Sequence, residues 1–154
     1  MADVFFTVGG NPRRGGVPAG RKGLEPVPDA VSRVAVVDDD RAVLDALCFV
    51  LRLEGFAVDA FDNGDAFLAA VAETPPACVI LDQGMEGLDG LAVAEKLRQR
   101  GSMLPLILIS GTVTPRLRLL AAAAGVDTVL EKPLFGNGLA LAVAQAVCLV
   151  EARG

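Results

Sequence analysis

The chain has 154 residues, 53% of them hydrophobic and 21% charged, with a net charge of −5 and no Trp, Tyr or His. That balance suits one globular domain with a real core, and the acidic excess speaks against electrostatic binding to nucleic acid or to an anionic membrane. Without His there is no imidazole acid–base catalysis, no His metal ligation and no self-phosphorylation on His.

Residues 1–31 hold four of the nine Pro and six of the 17 Gly without sustained periodicity, and read as a flexible tail ahead of a domain at 32–154. Arg13, Arg14, Arg21 and Lys22 make the tail slightly basic. It is either a docking arm, or an unstructured extension or misplaced start. "RVAVVD" (33–38) is short, β-branched and apolar, a buried strand. A helix follows, with Leu44, Cys48 and Leu51 at i, i+4 and i+7, flanked by Val43, Leu47 and Val50 and ended by Gly55 in a left-handed cap. "FAVDAF" (56–61) alternates less cleanly, as an edge strand does. "GDAFLAAVAE" is a short helix stopped by Pro75 and Pro76. "ACVILD" (77–82) is the third strand. The helix after it carries Lys96, Arg98 and Arg100 toward its end, the sign its dipole favours. "LPLILIS" (104–110) is the fourth strand. Thr114-Pro115 reads as an N-cap and first helical position, opening a helix that runs to Ala124-Gly125. "VDTVLE" (126–131) is the fifth strand and 139–152 the last helix. Five βα units with helix-sized crossovers predict a parallel sheet covered on both faces.

Cys48, Cys78 and Cys148 lie in apolar segments, form no CxxC pair and are odd in number. They are expected to be free buried thiols in a reducing compartment. No apolar run reaches membrane-spanning length. Val4–Val8 is too short for a signal-peptide core and no basic segment precedes it. A cytoplasmic protein is expected.

Open parallel sheets bind ligands outside the carboxyl ends of their strands. Those ends carry Asp38-Asp39-Asp40, Asp82, Ser110-Gly111-Thr112 and Glu131-Lys132-Pro133. With a strand order of 2-1-3-4-5, Asp38, Asp39, Asp82, Ser110 and Lys132 converge on one cleft. Close carboxylates raise each other's pKa, and Mg²⁺, a hard cation that takes oxygen ligands, resolves the conflict. A metal, a lysine and a hydroxyl around a carboxylate are the parts needed for phosphoryl transfer onto it. Asp82 is the candidate nucleophile, and Asp40 the candidate cap of the first helix. Taken singly, Asp82 is also a turn former, Lys132 a surface lysine and Ser110 a commonplace strand-end hydroxyl. Their occurrence as a set points to chemistry.

At these residues the chain resembles the receiver domain of two-component response regulators, over about Arg33 to Val150, through "VAVVDDD", "VILDQGMEGLDG", "LILISG" and "EKP" in the family's order. The resemblance implies a flavodoxin-like, doubly wound, five-stranded parallel sheet of order 2-1-3-4-5 with five helices. It implies that Asp82 is the phosphoacceptor. Mg²⁺ is held directly by Asp39, mainly through water by Asp38, and by Asp82 and the Gly84 carbonyl. Ser110 is the switch hydroxyl, Lys132 contacts the phosphoryl group, and Lys132-Pro133 is cis. Three positions depart from the family pattern. Glu86 replaces the usual Pro of "MPGxDG", Val129 stands where an aromatic switch residue is often found, and Gly84 has no side chain to place or block a hydrolytic water. Arg116 and Arg118 lie on the fourth helix, either a partner face or a solvated one.

The expected function is a stand-alone response regulator, since no more than "EARG" remains where the last helix ends. The phosphoryl donor is a histidine kinase or histidine phosphotransferase. Phosphorylation switches a surface around the fourth helix, fifth strand and fifth helix that binds a downstream protein or a second copy as a dimer. Neither nucleic acid nor membrane is a direct partner. The chain is not an enzyme beyond its own phosphotransfer and dephosphorylation. Alternatives are a relay intermediate, a phosphate sink, or an unphosphorylated interaction module. An aspartyl-phosphate phosphatase of the haloacid-dehalogenase type needs Asp where Gly84 stands. A flavodoxin-like cofactor binder would find three aspartates in its phosphate loop.

Overall fold

The computed structural model describes residues 31–134 and 136–153; the tail expected at 1–31 lies outside them except for Val31. In chain order the elements are β1 (Arg33–Val37), α1 (Arg41–Leu53), β2 (Ala57–Phe61), α2 (Gly64–Val71), β3 (Cys78–Asp82), α3 (Gly90–Gln99), β4 (Leu106–Ser110), α4 (Pro115–Ala123), β5 (Thr128–Glu131) and α5 (Gly138–Arg153). The sheet is wholly parallel with the order β2-β1-β3-β4-β5, so the poorly alternating β2 is indeed an edge strand.

Strand side chains alternate between two apolar layers. Val34, Val36, Cys78, Ile80, Ile107 and Ile109 pack with α1 and α5, through Leu44, Leu51 and Val143 among others. Ala35, Val37, Val79, Leu81, Leu106 and Leu108 pack with α2, α3 and α4, through Phe67, Leu97 and Ala121. Each fully buried Leu or Ile contributes about 1.5–3 kcal/mol, so the central strands, β1, β3 and β4, carry much of the driving force.

The helix ends explain how each crossover returns to the sheet. At the end of α1, Gly55 takes φ +99°. Its N–H donates to the Arg52 carbonyl, and the Phe56 N–H reaches back to the Leu51 carbonyl. This closure satisfies carbonyls the helix would otherwise leave unpaired, and it favours glycine at the left-handed position. The same closure recurs at Gly101 after α3 and Gly125 after α4, each one turning the chain toward the next strand. At the other ends, Asp40, Asn63, Asp89 and Thr114 cap α1 to α4, each accepting backbone N–H bonds from the first turn.

Two expectations shift. β4 and β5 each begin two residues later than predicted, because Leu104, Pro105, Val126 and Asp127 lead in without joining the strands. Cys48 and Cys78 are buried and free, but Cys148 is exposed, which corrects the expectation of three buried thiols. On α5 it is Ala146 and Val147 that face the core, and the next residue turns outward. Burial pushes the Cys78 thiol up to about 12. Among the described residues no helix is long and apolar enough to cross a membrane.

Candidate functional site

The parallel ladder extends one residue past several strands and thereby fixes the site. The Asp38 N–H donates to Phe61 O at 3.0 Å, Gln83 N–H to Ile109 O at 2.8 Å and Lys132 N–H to Ser110 O at 2.8 Å. Asp38, Asp82 and Lys132 are thus held at the carboxyl rim by backbone bonds to neighbouring strands. Asp38 and Asp82 have 0% and 5% of their surface exposed, while Asp39 projects into solvent.

Asp38, Asp39 and Asp82 each present a carboxylate oxygen within 4.8 Å of the others. Lys132 Nζ lies 2.7 Å from Asp82 Oδ1 and 3.5 Å from Asp38 Oδ2. Backbone amides hold three of the four remaining oxygens: Asp40 N–H donates to Asp38 Oδ1 at 2.9 Å, Glu86 N–H to Asp39 Oδ2 at 3.0 Å, and Gly84 N–H to Asp82 Oδ2 at 3.1 Å. Asp40 is the helix cap, accepting from Ala42 and Val43.

Charge in this pocket is out of balance. Three carboxylates share one ammonium, so two negative charges are uncompensated when all are ionised. Burial raises the pKa of Asp38 above its ordinary value and the charge of Asp82 adds to this, against the opposing pull of the Asp40 amide and Lys132. Burial works to lower the pKa of Lys132, but its hydrogen bond to Asp82 and the charges of Asp82 and Asp38 outweigh that, and the net shift is upward. A rim of convergent, undercompensated carboxylate oxygens is a donor set that fits a hard divalent cation such as Mg²⁺.

Four of the five convergent residues predicted from the strand ends therefore meet. Ser110 ends β4 and is buried, but its hydroxyl donates to the Thr112 carbonyl at 3.0 Å and accepts from the Thr112 N–H at 3.3 Å. It is turned into its own loop. Val129 is half-buried in the layer that includes Ala121 of α4, and Arg116 and Arg118 are exposed on α4. Gly84 lies beside Asp82, and Lys132-Pro133 is cis.

Sequence reasoning did not reach Gln83. Its Oε1 accepts from the Leu91 N–H at 2.9 Å and its Nε2 donates to Asp89 Oδ2 at 3.1 Å, which ties the residue after Asp82 to the start of α3. The only signal in the sequence was a polar residue directly after a buried strand.

Comparison with known proteins bears on the family and the fold. The family described as the response regulator receiver domain matches residues 34–144. The chain is 35% identical over 130 residues to the response regulator protein TmoT of Ectopseudomonas mendocina, covering 84% of this chain and 59% of that protein. It is 33% identical over 114 residues to the transcriptional regulatory protein FixJ of Bradyrhizobium diazoefficiens, covering 74% and 56%. The chain thus spans less than two thirds of these relatives' length. In fold it is similar to a CheY-like response regulator receiver domain protein from Methanospirillum hungatei, with a TM-score of 0.76 at 22% identity over 81% of this chain and 100% of that one.

Proposed function

Since the chain belongs to the response regulator receiver domain family, we propose that Asp82 accepts a phosphoryl group from a histidine on a partner protein and that this switches a protein-binding surface. Receivers are signalling domains of two-component systems that interact with histidine kinases and generally bind Mg²⁺. The observation that carries the reading is the meeting of Asp38, Asp39 and Asp82 within 4.8 Å, with Lys132 Nζ 2.7 Å from Asp82.

Asp38, Asp39, Asp82 and the Gly84 carbonyl would hold Mg²⁺, which when bound neutralises charge on the carboxylates and on the phosphoryl oxygens. In the transfer, an Asp82 carboxylate oxygen forms the new P–O bond as the P–N bond of the phosphohistidine breaks. The nitrogen keeps that electron pair and leaves as neutral imidazole, its other nitrogen carrying the proton. Lys132 holds the carboxylate in place and offers its ammonium to the incoming phosphoryl oxygens. An apolar groove lined by Val43, Leu47, Val50, Pro133 and Leu134 opens beside Lys132 and suits a docking helix of the donor. These 154 residues hold no His, so a phosphohistidine donor lies outside them, and in this reading it is a histidine kinase or a histidine phosphotransferase.

Ser110 is the switch hydroxyl in this reading. Its bond to Thr112 is exchanged for one to the new phosphoryl group, which releases the loop leading into α4, with Val129 repacking behind it. The switched face is α4, β5 and α5, and it binds a downstream protein or a second copy. The receiver occupies 32–154 and residues 1–31 are a separate segment. We place the protein in the cytoplasm, where the free Cys48 and Cys78 stay reduced. A second reading is favoured by the greater length of TmoT and FixJ: the receiver controls an attached output domain, which for a transcriptional regulator acts on DNA.

Acetyl phosphate or a cognate kinase with Mg²⁺ should add one phosphoryl group, seen by mass spectrometry, and Asp82→Asn should abolish it. Labelling retained in that variant moves the phosphoacceptor elsewhere. No labelling of the wild-type chain by either donor favours an unphosphorylated interaction module.

A further inference from the structure

The loop between β3 and α3 reaches the acidic pair through one bond. The Glu86 N–H donates to Asp39 Oδ2 at 3.0 Å, across 47 residues of sequence. Asp39 is an exposed side chain at the rim and this is the one hydrogen bond to it among the described residues. Three further bonds hold the same loop: Gly84 N–H to Asp82 Oδ2, and two between the Gln83 side chain and the start of α3. The loop is therefore pinned at its start by Gln83 and Gly84 and at its middle by Glu86.

We propose that the backbone amide of Glu86 is a positioning group for the cation site, bracing Asp39 and the Gly84-bearing loop into one ligand set before the metal arrives. The proposal rests on the reading of Asp38, Asp39 and Asp82 as Mg²⁺ ligands. An exposed aspartate loses rotamer freedom when it binds a cation. Here one oxygen is already tied to an amide, which leaves the other for the metal. Groups that orient metal ligands in this way typically account for about 10- to 100-fold in affinity. The chemistry requires an N–H at residue 86, and proline has none. Glu86 is thus the source of a contact that proline at this position could not make. Its carboxylate is exposed and plays a separate part, adding a diffuse attraction for cations that salt screens.

Two substitutions in the full chain separate amide from carboxylate. Glu86→Ala keeps the N–H and loses the charge; Glu86→Pro loses both. By calorimetric titration with Mg²⁺, Glu86→Pro should bind about tenfold more weakly than wild type. Glu86→Ala should change by less than about threefold, with the difference shrinking at high salt. Equal affinities of the Pro and Ala variants, or a Pro variant as tight as wild type, overturn the brace and leave the site reading standing. A wild-type chain that takes up no Mg²⁺ overturns the site reading and the brace with it. Hydrogen exchange of the Glu86 amide in the metal-free chain gives a readout independent of metal and of how the Pro variant folds. The amide should exchange slowly in wild type and at least about tenfold faster in Asp39→Ala; rapid exchange in wild type overturns the proposal.

Discussion

Asp38 has no exposed surface, and its carboxylate meets an ammonium, an amide and a second carboxylate at once. Burial, chiefly, lifts its pKa above the ordinary 3.8. The folded chain therefore holds that proton more tightly than the unfolded chain. In the metal-free protein this takes away stability as pH climbs from near 3.8 through the raised value. Asp38→Asn removes the titration while keeping an oxygen for the Asp40 amide. Metal-free melts should show that variant more stable than wild type at pH 7 by on the order of 1 kcal/mol, with little difference at pH 3.5, while Mg²⁺ affinity falls. A wild-type gap between the two pH values that survives in the variant would count against this account. Lys132 has the same sign in a higher window: its raised pKa means that its stabilising contribution is complete below 10.5 and is lost as pH rises through the higher folded value. At this scale the sequence was legible wherever an ionisable group ended an apolar run, as Asp38, Asp82 and Lys132 do. It was not legible where a backbone amide is the actor, as at Glu86, since every residue but proline carries one. Nor could it tell that the Ser110 hydroxyl turns to Thr112, because that depends on the turn after β4.

α3 presses its first residue against the back of the site. A Cβ on Gly90 would meet Leu108 Cδ1 at 2.4 Å and the Asp82 carbonyl oxygen at 2.9 Å. Gly90→Ala should therefore force the helix away from β3 and destabilise by about 1–3 kcal/mol, read from denaturant melts. Gly111→Ala serves as the control. Nothing lies within 4 Å of its added Cβ, so it should stay within about 0.5 kcal/mol of wild type. Equal effects of the two would show that close packing at α3 does not matter. α4 is held differently. Ala121 is its one buried helical residue, and Leu119 is 73% exposed. At its far end Arg98 donates to the Gly125 carbonyl from Nε and Nη2, at 3.2 and 2.7 Å. The helix is thus pinned at its C-terminal end and lightly packed along its length, the profile expected of an element that shifts on a signal. Elements were legible because periodicity and punctuation agreed: glycines at 55 and 125, prolines after α2, Thr114-Pro115 before α4. The exposed Cys148 was misread because α5 is apolar on several sides, so composition alone does not say which residues turn outward.

Across the whole molecule, the two apolar layers lock the sheet to α1 and α5 on one side and to α2, α3 and α4 on the other. Among the described residues, only the α4 side joins a strand-end hydroxyl to a lightly anchored helix. A beryllofluoride mimic with Mg²⁺ should therefore raise hydrogen exchange in 111–125 while leaving the centre of β3 unchanged, and light scattering should register any change in assembly. Altered exchange confined to α1 would place the switched surface elsewhere. The layering has a further effect on folding. Both faces of β1, β3 and β4 are apolar, so sliding one of these strands by a residue would swap one greasy face for another with little loss of burial. The penalty comes from the rim. Such a slip in β3 would carry the Asp82 carboxylate inward, away from the Lys132 ammonium, or push it out past the Gly84 amide. The charged groups of the candidate site thus double as alignment stops, telling otherwise interchangeable strands where to halt.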